Sequence, residues 1–220
     1  MPALAPRLAG IAVLSVAFIA LTIAVGAGAF TSLDLQVARA MHDAWQPSLH
    51  LPFQAIAELG GFELTTVLML ALTVYLWRSG FGSDALVSFG FVAAQGFELY
   101  YKLNLVHLQP PRSLAEADGP SISQLFAAQS GFGNSFPSGH VLRAVIVYGL
   151  LAFVIVRLSP NPRVRVLAVA GAIAAVVLVS LDRLYLDVHW ESDVIGGLLL
   201  GAIALVAGTV WLDRPRNPQN

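Results

Sequence analysis

Pro137-Ser138-Gly139-His140-Val141-Leu142-Arg143-Ala144-Val145-Ile146-Val147-Tyr148-Gly149-Leu150-Leu151-Ala152-Phe153-Val154-Ile155-Val156-Arg157-Leu158 decides the fold. A short polar motif opens it, and an almost unbroken apolar run follows. A transmembrane helix needs roughly 20 mostly apolar residues. This stretch has that length, and proline suits the first turn of a helix because its missing N–H would have no partner there.

Further runs of the same kind lie on either side. The spans expected are 8–30, 61–77, 83–108, 137–158, 164–181 and 190–212. Together they describe an all-α, integral membrane bundle of six transmembrane helices, forming one membrane-embedded domain over residues 1–220. Composition agrees: 57% of the chain is hydrophobic and 11% charged, with a mean hydropathy of +0.74. A soluble domain averages about 25% charged residues, so too few charges are present to cover a globule. The net charge of −1 gives no electrostatic footprint for nucleic acid. The absence of cysteine excludes disulfides, thiol catalysis and cysteine-ligated metals.

The first span competes with a cleaved signal peptide ending at Ala27-Gly28-Ala29. Its apolar run is longer than the usual core of about 7–15 residues, which favours a retained anchor. The arginines set the orientation. Arg7, Arg78, Arg157, Arg163, Arg165, Arg214 and Arg216 fall on one side and make up seven of the 12 basic residues. Positive loops stay cytoplasmic, so both termini are expected inside, with 31–60, 109–136 and 182–189 outside. Leu35, Val37, Ala38, Met41 and Trp45 give 31–60 the pattern of an interfacial helix, and Pro110 and Pro111 are expected to end the third span. High alanine and arginine over lysine point to a bacterium with a GC-rich genome. The location expected is therefore a bacterial cell membrane, with the outer segments extracytoplasmic.

Ionisable residues gather at the expected outer helix ends, where they are costly and usually functional. Glu98 and Lys102 are four apart and can pair on one helix face. At 137–140, free N–H groups and the helix dipole make an anion site. Ser138 adds a hydroxyl donor, and Gly139 allows close approach to the backbone. His140 lies in the first turn, where it can protonate a departing oxygen. His189 and Asp193 are also four apart; a carboxylate on one imidazole nitrogen leaves the other free to attack. Arg183 offers a planar fork for phosphate oxygens. Each cluster also has a plain reading: a snorkelling lysine, an ordinary helix start, a charged helix rim.

Taken in order, the clusters resemble the signature of the type 2 phosphatidic acid phosphatase family, which also includes vanadium haloperoxidases and glucose-6-phosphatase. That signature runs Lys-x6-Arg-Pro, Pro-Ser-Gly-His, then Ser-Arg-x5-His-x3-Asp. Residues 137–140 match fully, and Arg183, His189 and Asp193 match the third part. There are two departures. Asp182 stands in the serine position, and its change is discounted as the less critical one. Gln109-Pro110 stands where Arg-Pro is expected. Arg112, three positions on, and Arg143, one turn after His140, are the candidate substitutes; for Arg143 an ion pair within the bundle, with Glu98, is the alternative. His107 lies inside the first spacer and is a further candidate to line the pocket. His42 and His50 read as interfacial.

The resemblance implies a lipid phosphatase. His189 forms a phosphohistidine and Asp193 orients it. His140 serves the leaving oxygen and then water. Lys102, Arg112, Ser138, Gly139 and Arg183 hold the phosphate, with Arg143, Gln109 and His107 as possible accessories. The scheme needs no metal or cofactor. The expected partners are a lipid phosphate or pyrophosphate and the surrounding membrane lipids; undecaprenyl pyrophosphate, phosphatidic acid and phosphatidylglycerol phosphate all suit. The same site could serve a lipid-linked phosphotransferase. Charged residues in spans also occur in transporters and scaffolds, but here they cluster at one face instead of lining a path through the midplane.

Overall fold

The structure, a computed structural model, describes residues 4–110 and 133–214. Arg112 and Arg216 lie outside the described residues. The element order is α1 (Leu4–Gly26), α2 (Thr31–Ala44), α3 (Pro47–Gly60), α4 (Phe62–Arg78), a 3-10 turn (Asp84–Leu86), α5 (Val87–Asn104), α6 (Gly139–Leu158), α7 (Pro162–Tyr185) and α8 (Glu191–Leu212). The described residues form no strand; Leu108 and Asn134 make an isolated antiparallel bridge.

The stretch opened on above is the central helix. Val141, Leu142, Ala144, Ile146, Val147 and Leu150 of α6 are all buried, as expected for a helix that is apolar all round. It packs against α7 and α8, and α1 packs on α8. Lipid tails are as apolar as leucine, so helices in a bilayer associate through close packing, which favours small residues at contacts. At Gly197 of α8 a Cβ would lie 2.6 Å from the Ser138 carbonyl oxygen, and at Gly60 of α3 one would lie 2.8 Å from Val179. These two glycines bring α8 and α3 directly against the 137–140 motif.

Five segments are long and apolar enough to cross a membrane: Leu4–Gly26, Pro47–Arg78, Gly139–Leu158, Pro162–Tyr185 and Glu191–Leu212. Exposed Val13, Val16, Ile23, Val67, Leu70, Val166, Leu167 and Ile173 give three of them an apolar exterior, the surface of a multi-pass membrane protein. α5 is a regular helix of 18 residues and is not among the five. Gln95, Glu98, Lys102 and Asn104 make its last turns polar.

Three element boundaries differ from the sequence expectation. Segment 31–60 forms two helices, not one, and α3 packs on α6 and α7. The break is fastened to α7, because the Gln46 N–H donates to the Tyr185 hydroxyl at 2.7 Å and Phe53 stacks on the Tyr185 ring. α5 ends at Asn104, before the prolines. The Asn134 side chain captures the freed backbone groups: its Oδ1 accepts from the His107 N–H at 3.1 Å and its Nδ2 donates to the Lys102 carbonyl at 2.8 Å. α7 runs on to Tyr185, so Asp182 and Arg183 belong to its last turn and not to a loop.

Candidate active site

The starts of α6 and α8 meet the ends of α5 and α7 at one end of the bundle. Ser138 precedes α6 in extended conformation, and its N–H donates to the Asp193 carbonyl at 3.0 Å. That bond ties the two motif helices together at their first turns. The Ser138 hydroxyl is fully buried with no hydrogen-bond partner among the described residues. An unsatisfied buried hydroxyl is costly and fits a group that a ligand completes.

His189 sits in the turn between α7 and α8. Its N–H donates to the Arg183 carbonyl at 3.2 Å, and Asp187 in the same turn takes a left-handed φ of 54°. The ring Nδ1 lies 3.2 Å from Asp193 Oδ2, which also accepts from the Trp190 N–H at 2.9 Å. A carboxylate only accepts, so Nδ1 carries the proton and Nε2 keeps its lone pair. Burial depresses the His189 pKa below the ordinary imidazole value. The Asp193 hydrogen bond and charge oppose this, and Lys102 and Arg183 add to the depression.

His140 is held in the opposite sense. Arg143 Nη2 lies 3.3 Å from its Nδ1. A guanidinium only donates, so Nδ1 is the acceptor and the proton resides on Nε2. Arg143 also donates from Nε to the Gly60 carbonyl at 3.0 Å, and its Nη1 lies 3.5 Å from Glu98 Oε2. It is thus bound inside the bundle on three sides. Lys102 Nζ lies 2.6 Å from Glu98 Oε1. The Glu98 carboxyl fills the space where a Cβ on Gly139 would stand, so glycine at 139 admits this carboxylate to the start of α6.

Arg183 is 1% exposed and paired with Asp182, Nε to Oδ2 at 2.7 Å. Asp182, discounted from sequence, is therefore a direct partner of the guanidinium. His107 Nε2 lies 3.4 Å from Asp193 Oδ1. Gln109 is exposed, and its N–H donates to the Gly133 carbonyl at 3.1 Å. The neighbouring Leu108 carbonyl accepts from Trp190 Nε1 at 2.7 Å, which stitches this segment to the residue after His189. His189, His140, Asp193, Lys102, Ser138, Gly139, Arg183, Arg143 and His107 thus converge on one end of the bundle.

Sequence reasoning missed Asp34. It is buried in α2, and its two oxygens accept from the Ser192 N–H and hydroxyl, each at 2.9 Å. Asp34 shares a helical face with Val37, Ala38 and Met41, so an acid on an apolar stripe was the available signal.

Membrane-crossing apolar helices around a buried end with two complementary histidines and three cationic side chains have the build of a membrane phosphohydrolase. The chain belongs to the PAP2 superfamily, whose family model matches residues 85–217. It is 30% identical over 191 residues to phosphatidylglycerophosphatase B of Bacillus subtilis, covering 84% of this chain and 86% of that one. It is 32% identical over 151 residues to a putative undecaprenyl-diphosphatase of Escherichia coli, covering 67% and 68%. The crystal structure of a transmembrane PAP2 type phosphatidylglycerolphosphate phosphatase from Bacillus subtilis superposes with a TM-score of 0.79 over 95% of this chain and 98% of that one. At 23% identity that likeness concerns the fold. The chain is a phosphatase of this membrane family.

Proposed function

We propose that the chain hydrolyses a lipid phosphate or pyrophosphate through a phosphohistidine on His189. The observation that carries this is the pair of complementary histidines: His189 with Nε2 unprotonated, backed by Asp193, and His140 with a proton on Nε2. One supplies a lone pair and the other a proton, which an in-line displacement at phosphorus requires. The names of the two relatives support a phosphatidylglycerophosphate or undecaprenyl diphosphate class of substrate.

His189 Nε2 attacks phosphorus, and the phosphorus–oxygen bond to the leaving group breaks. Its electron pair goes to the leaving oxygen, which takes a proton from His140. Asp193 holds the charged ring of the phosphohistidine. Water then attacks phosphorus and gives a proton to His140, and the phosphorus–nitrogen bond breaks to regenerate His189. To act as the acid His140 needs a second proton. The entering phosphate favours the cationic ring, and Arg143 keeps its Gly60 and Glu98 contacts when its contact with Nδ1 is released. Lys102, Ser138, the Gly139 N–H and Arg183 face the phosphate oxygens, with Arg112 as a further cation. Fixed donors aimed at developing charge supply most of the catalysis in such a scheme.

α5 completes six spans, with both termini cytoplasmic and the site at the extracytoplasmic face, where a lipid headgroup reaches it while the tail stays in the bilayer. The cysteine-free chain suits mapping with single cysteines: Ser48→Cys should react with an impermeant maleimide in intact cells and Ser159→Cys should not.

The deciding experiment incubates purified protein with a ³²P-labelled lipid phosphate panel and measures released phosphate and acid-labile label on the protein. Wild-type protein should show both, and His189→Ala neither. Phosphate release by His189→Ala at the wild-type rate would refute the assignment, and label passing to an organic acceptor would redefine the enzyme as a transferase.

A further inference from the structure

Asp193 has two carboxylate oxygens, and the proposed chemistry uses one. Oδ2 serves His189 and the Trp190 N–H. Oδ1 is buried and faces His107, whose Nε2 lies 3.4 Å away and 3.3 Å from the Ser192 hydroxyl oxygen. Ser192 commits its own hydroxyl proton to Asp34 Oδ2 at 2.9 Å. Both oxygens near His107 Nε2 are therefore acceptors, so that nitrogen carries its proton, which goes to the Ser192 oxygen, while Asp193 Oδ1 stands within ion-pair distance and has no hydrogen-bond partner among the described residues. The arrangement is held from outside as well. The His107 carbonyl accepts from the Ser135 N–H at 2.8 Å and from its hydroxyl at 3.0 Å, and the His107 N–H is taken by Asn134. The ring stands edge-on to Phe136, which directly precedes the 137–140 motif.

We propose that His107 is a positioning residue that clamps the second oxygen of Asp193, backed by the Ser192–Asp34 pair, so that the carboxylate presents its other oxygen to His189. The inference rests on the reading of His189 and Asp193 given above. It assigns His107 a task that neither its place in the first motif's spacer nor the family match specifies. Without the clamp the carboxylate can rotate about its χ2 torsion, which is a broad, roughly two-fold well. Rotation would cost the His189 hydrogen bond, and with it the tautomer that leaves Nε2 free. At 3.4 Å the His107–Asp193 contact is longer than a fully formed hydrogen bond, and such contacts often tighten only when the substrate is bound. Asp34 brings α2 into the same chain. It accepts one of the free N–H groups in the first turn of α8, so the interfacial helix fixes the turn that carries Asp193.

The test uses the full chain in detergent or bilayers and measures kcat, KM and melting temperature for His107→Phe and His107→Gln, each in the wild-type and Asp193→Asn backgrounds. Removing a group that orients a catalytic ligand typically costs about 10–100-fold, so His107→Phe should lower kcat by that factor with KM nearly unchanged. Glutamine places an amide N–H near the Nε2 position and should restore most of the rate. In the Asp193→Asn background His107→Phe should have almost no further effect, because residues that act as one unit are not additive. A wild-type kcat for His107→Phe overturns the proposal. The same fold loss in both backgrounds also overturns it, since His107 would then act independently of Asp193. Should His107→Phe fail to fold, Asp34→Asn takes its place: a smaller kcat loss that vanishes in the Asp193→Asn background sustains the chain of contacts, and an additive one overturns it. His189→Ala is run alongside. Full phosphate release there removes the catalytic reading itself, whereas its loss beside an unaffected His107→Phe removes only the clamp.

Discussion

The two ends of the helix bundle both gather charge and use it differently. At the end opposite the motifs, three arginines meet carboxylates. Arg7 pairs with Asp213 at 2.7 Å, and Arg157 and Arg214 flank buried Asp84 at 3.6 and 3.2 Å. Arg157 also donates to the Leu212 carbonyl at 2.5 Å, Trp211 reaches the Ser83 carbonyl at 3.0 Å, and Arg214 lies over the Trp211 ring. These contacts tie α1, the 3-10 turn, α6 and the end of α8 into a staple. At the motif end, Lys102, Arg143, Arg183 and His189 meet Glu98, Asp182 and Asp193, His140 lies against Arg143, and the Ser138 hydroxyl is buried without a partner among the described residues. One end is tied together by ion pairs, and the other keeps a buried hydroxyl without a partner among the described residues. The difference shows that charge gathered at a helix end does not by itself mark a site: the same residue types build an ion-pair staple at one end and surround a buried, unpartnered hydroxyl at the other.

The sharpest way to break this contrast is to substitute Asp193. Asparagine at 193 keeps the shape and removes the charge that fixes the His189 tautomer. By analogy with a serine-protease triad, turnover should fall by about 10³–10⁴-fold. The melting temperature should shift little beside that loss. Parallel measurement of phosphate release and thermal unfolding checks this. A variant that keeps its activity and loses its stability would put Asp193 in the same structural class as Asp84.

Asp84→Ala should do the reverse. It strips a 1% exposed carboxylate from between two arginines, and breaking a buried ion pair by removing one partner costs about 3–5 kcal/mol. Thermal or denaturant unfolding should report that loss, while the molecules that remain folded keep the wild-type kcat. A large kcat defect in folded Asp84→Ala would show that the two ends are coupled.

Much of this contrast could be read from the chain before any coordinates, and the exceptions share a cause. The 137–140 motif and the Glu98–Lys102 pair lie within one or two helical turns, where periodicity fixes which side chains are neighbours, and Arg183, His189 and Asp193 are close along the chain around a single turn. The apolar runs likewise mark most membrane-crossing helices, because a bilayer demands their length. The pairing of Asp34 with Ser192 was hidden because it joins residues far apart in sequence, and no local period encodes such a contact. The end of α5 was misplaced because Asn134, thirty residues beyond the helix, supplies the hydrogen bonds that stop it. For Arg143 the pairing with Glu98 was already one of the sequence alternatives, and only its bond to the Gly60 carbonyl of α3 had no local signal. Asp182 looked like a lapse in a motif and is the partner of Arg183, because α7 continues one turn past its apolar run.

The pH profile sharpens the comparison at the motif end. In the proposed mechanism His189 attacks through an unprotonated Nε2, and burial lowers its pKa below the ordinary imidazole value. The acid limb of kcat/KM should therefore lie below the midpoint of an ordinary imidazole. Asp193 opposes that depression through its hydrogen bond and charge, so Asp193→Asn should move the limb further toward acid as well as reducing its height. A limb that moves toward neutral pH in this variant would mean that another group governs it. Activity should also persist in chelator, because the scheme uses only side chains and a helix N-terminus; loss in EDTA restored by magnesium would revise the mechanism.

The smallest effect belongs to the exposed pair at the stapled end. Arg7 and Asp213 stand at 28% and 39% side-chain exposure, where water and salt screen their attraction. An exposed ion pair contributes about 0.2–1 kcal/mol, so Arg7→Gln should lower stability by no more than that and leave turnover unchanged. Raising the salt should weaken even this difference. Arg7 also donates to the Thr209 carbonyl at 3.2 Å, a bond glutamine is short for but water can replace at a partly exposed position. If Arg7→Gln instead destabilised the bundle as much as Asp84→Ala, the α1 contact would carry as much of the staple as the buried carboxylate, and closure at that end would depend on the whole network.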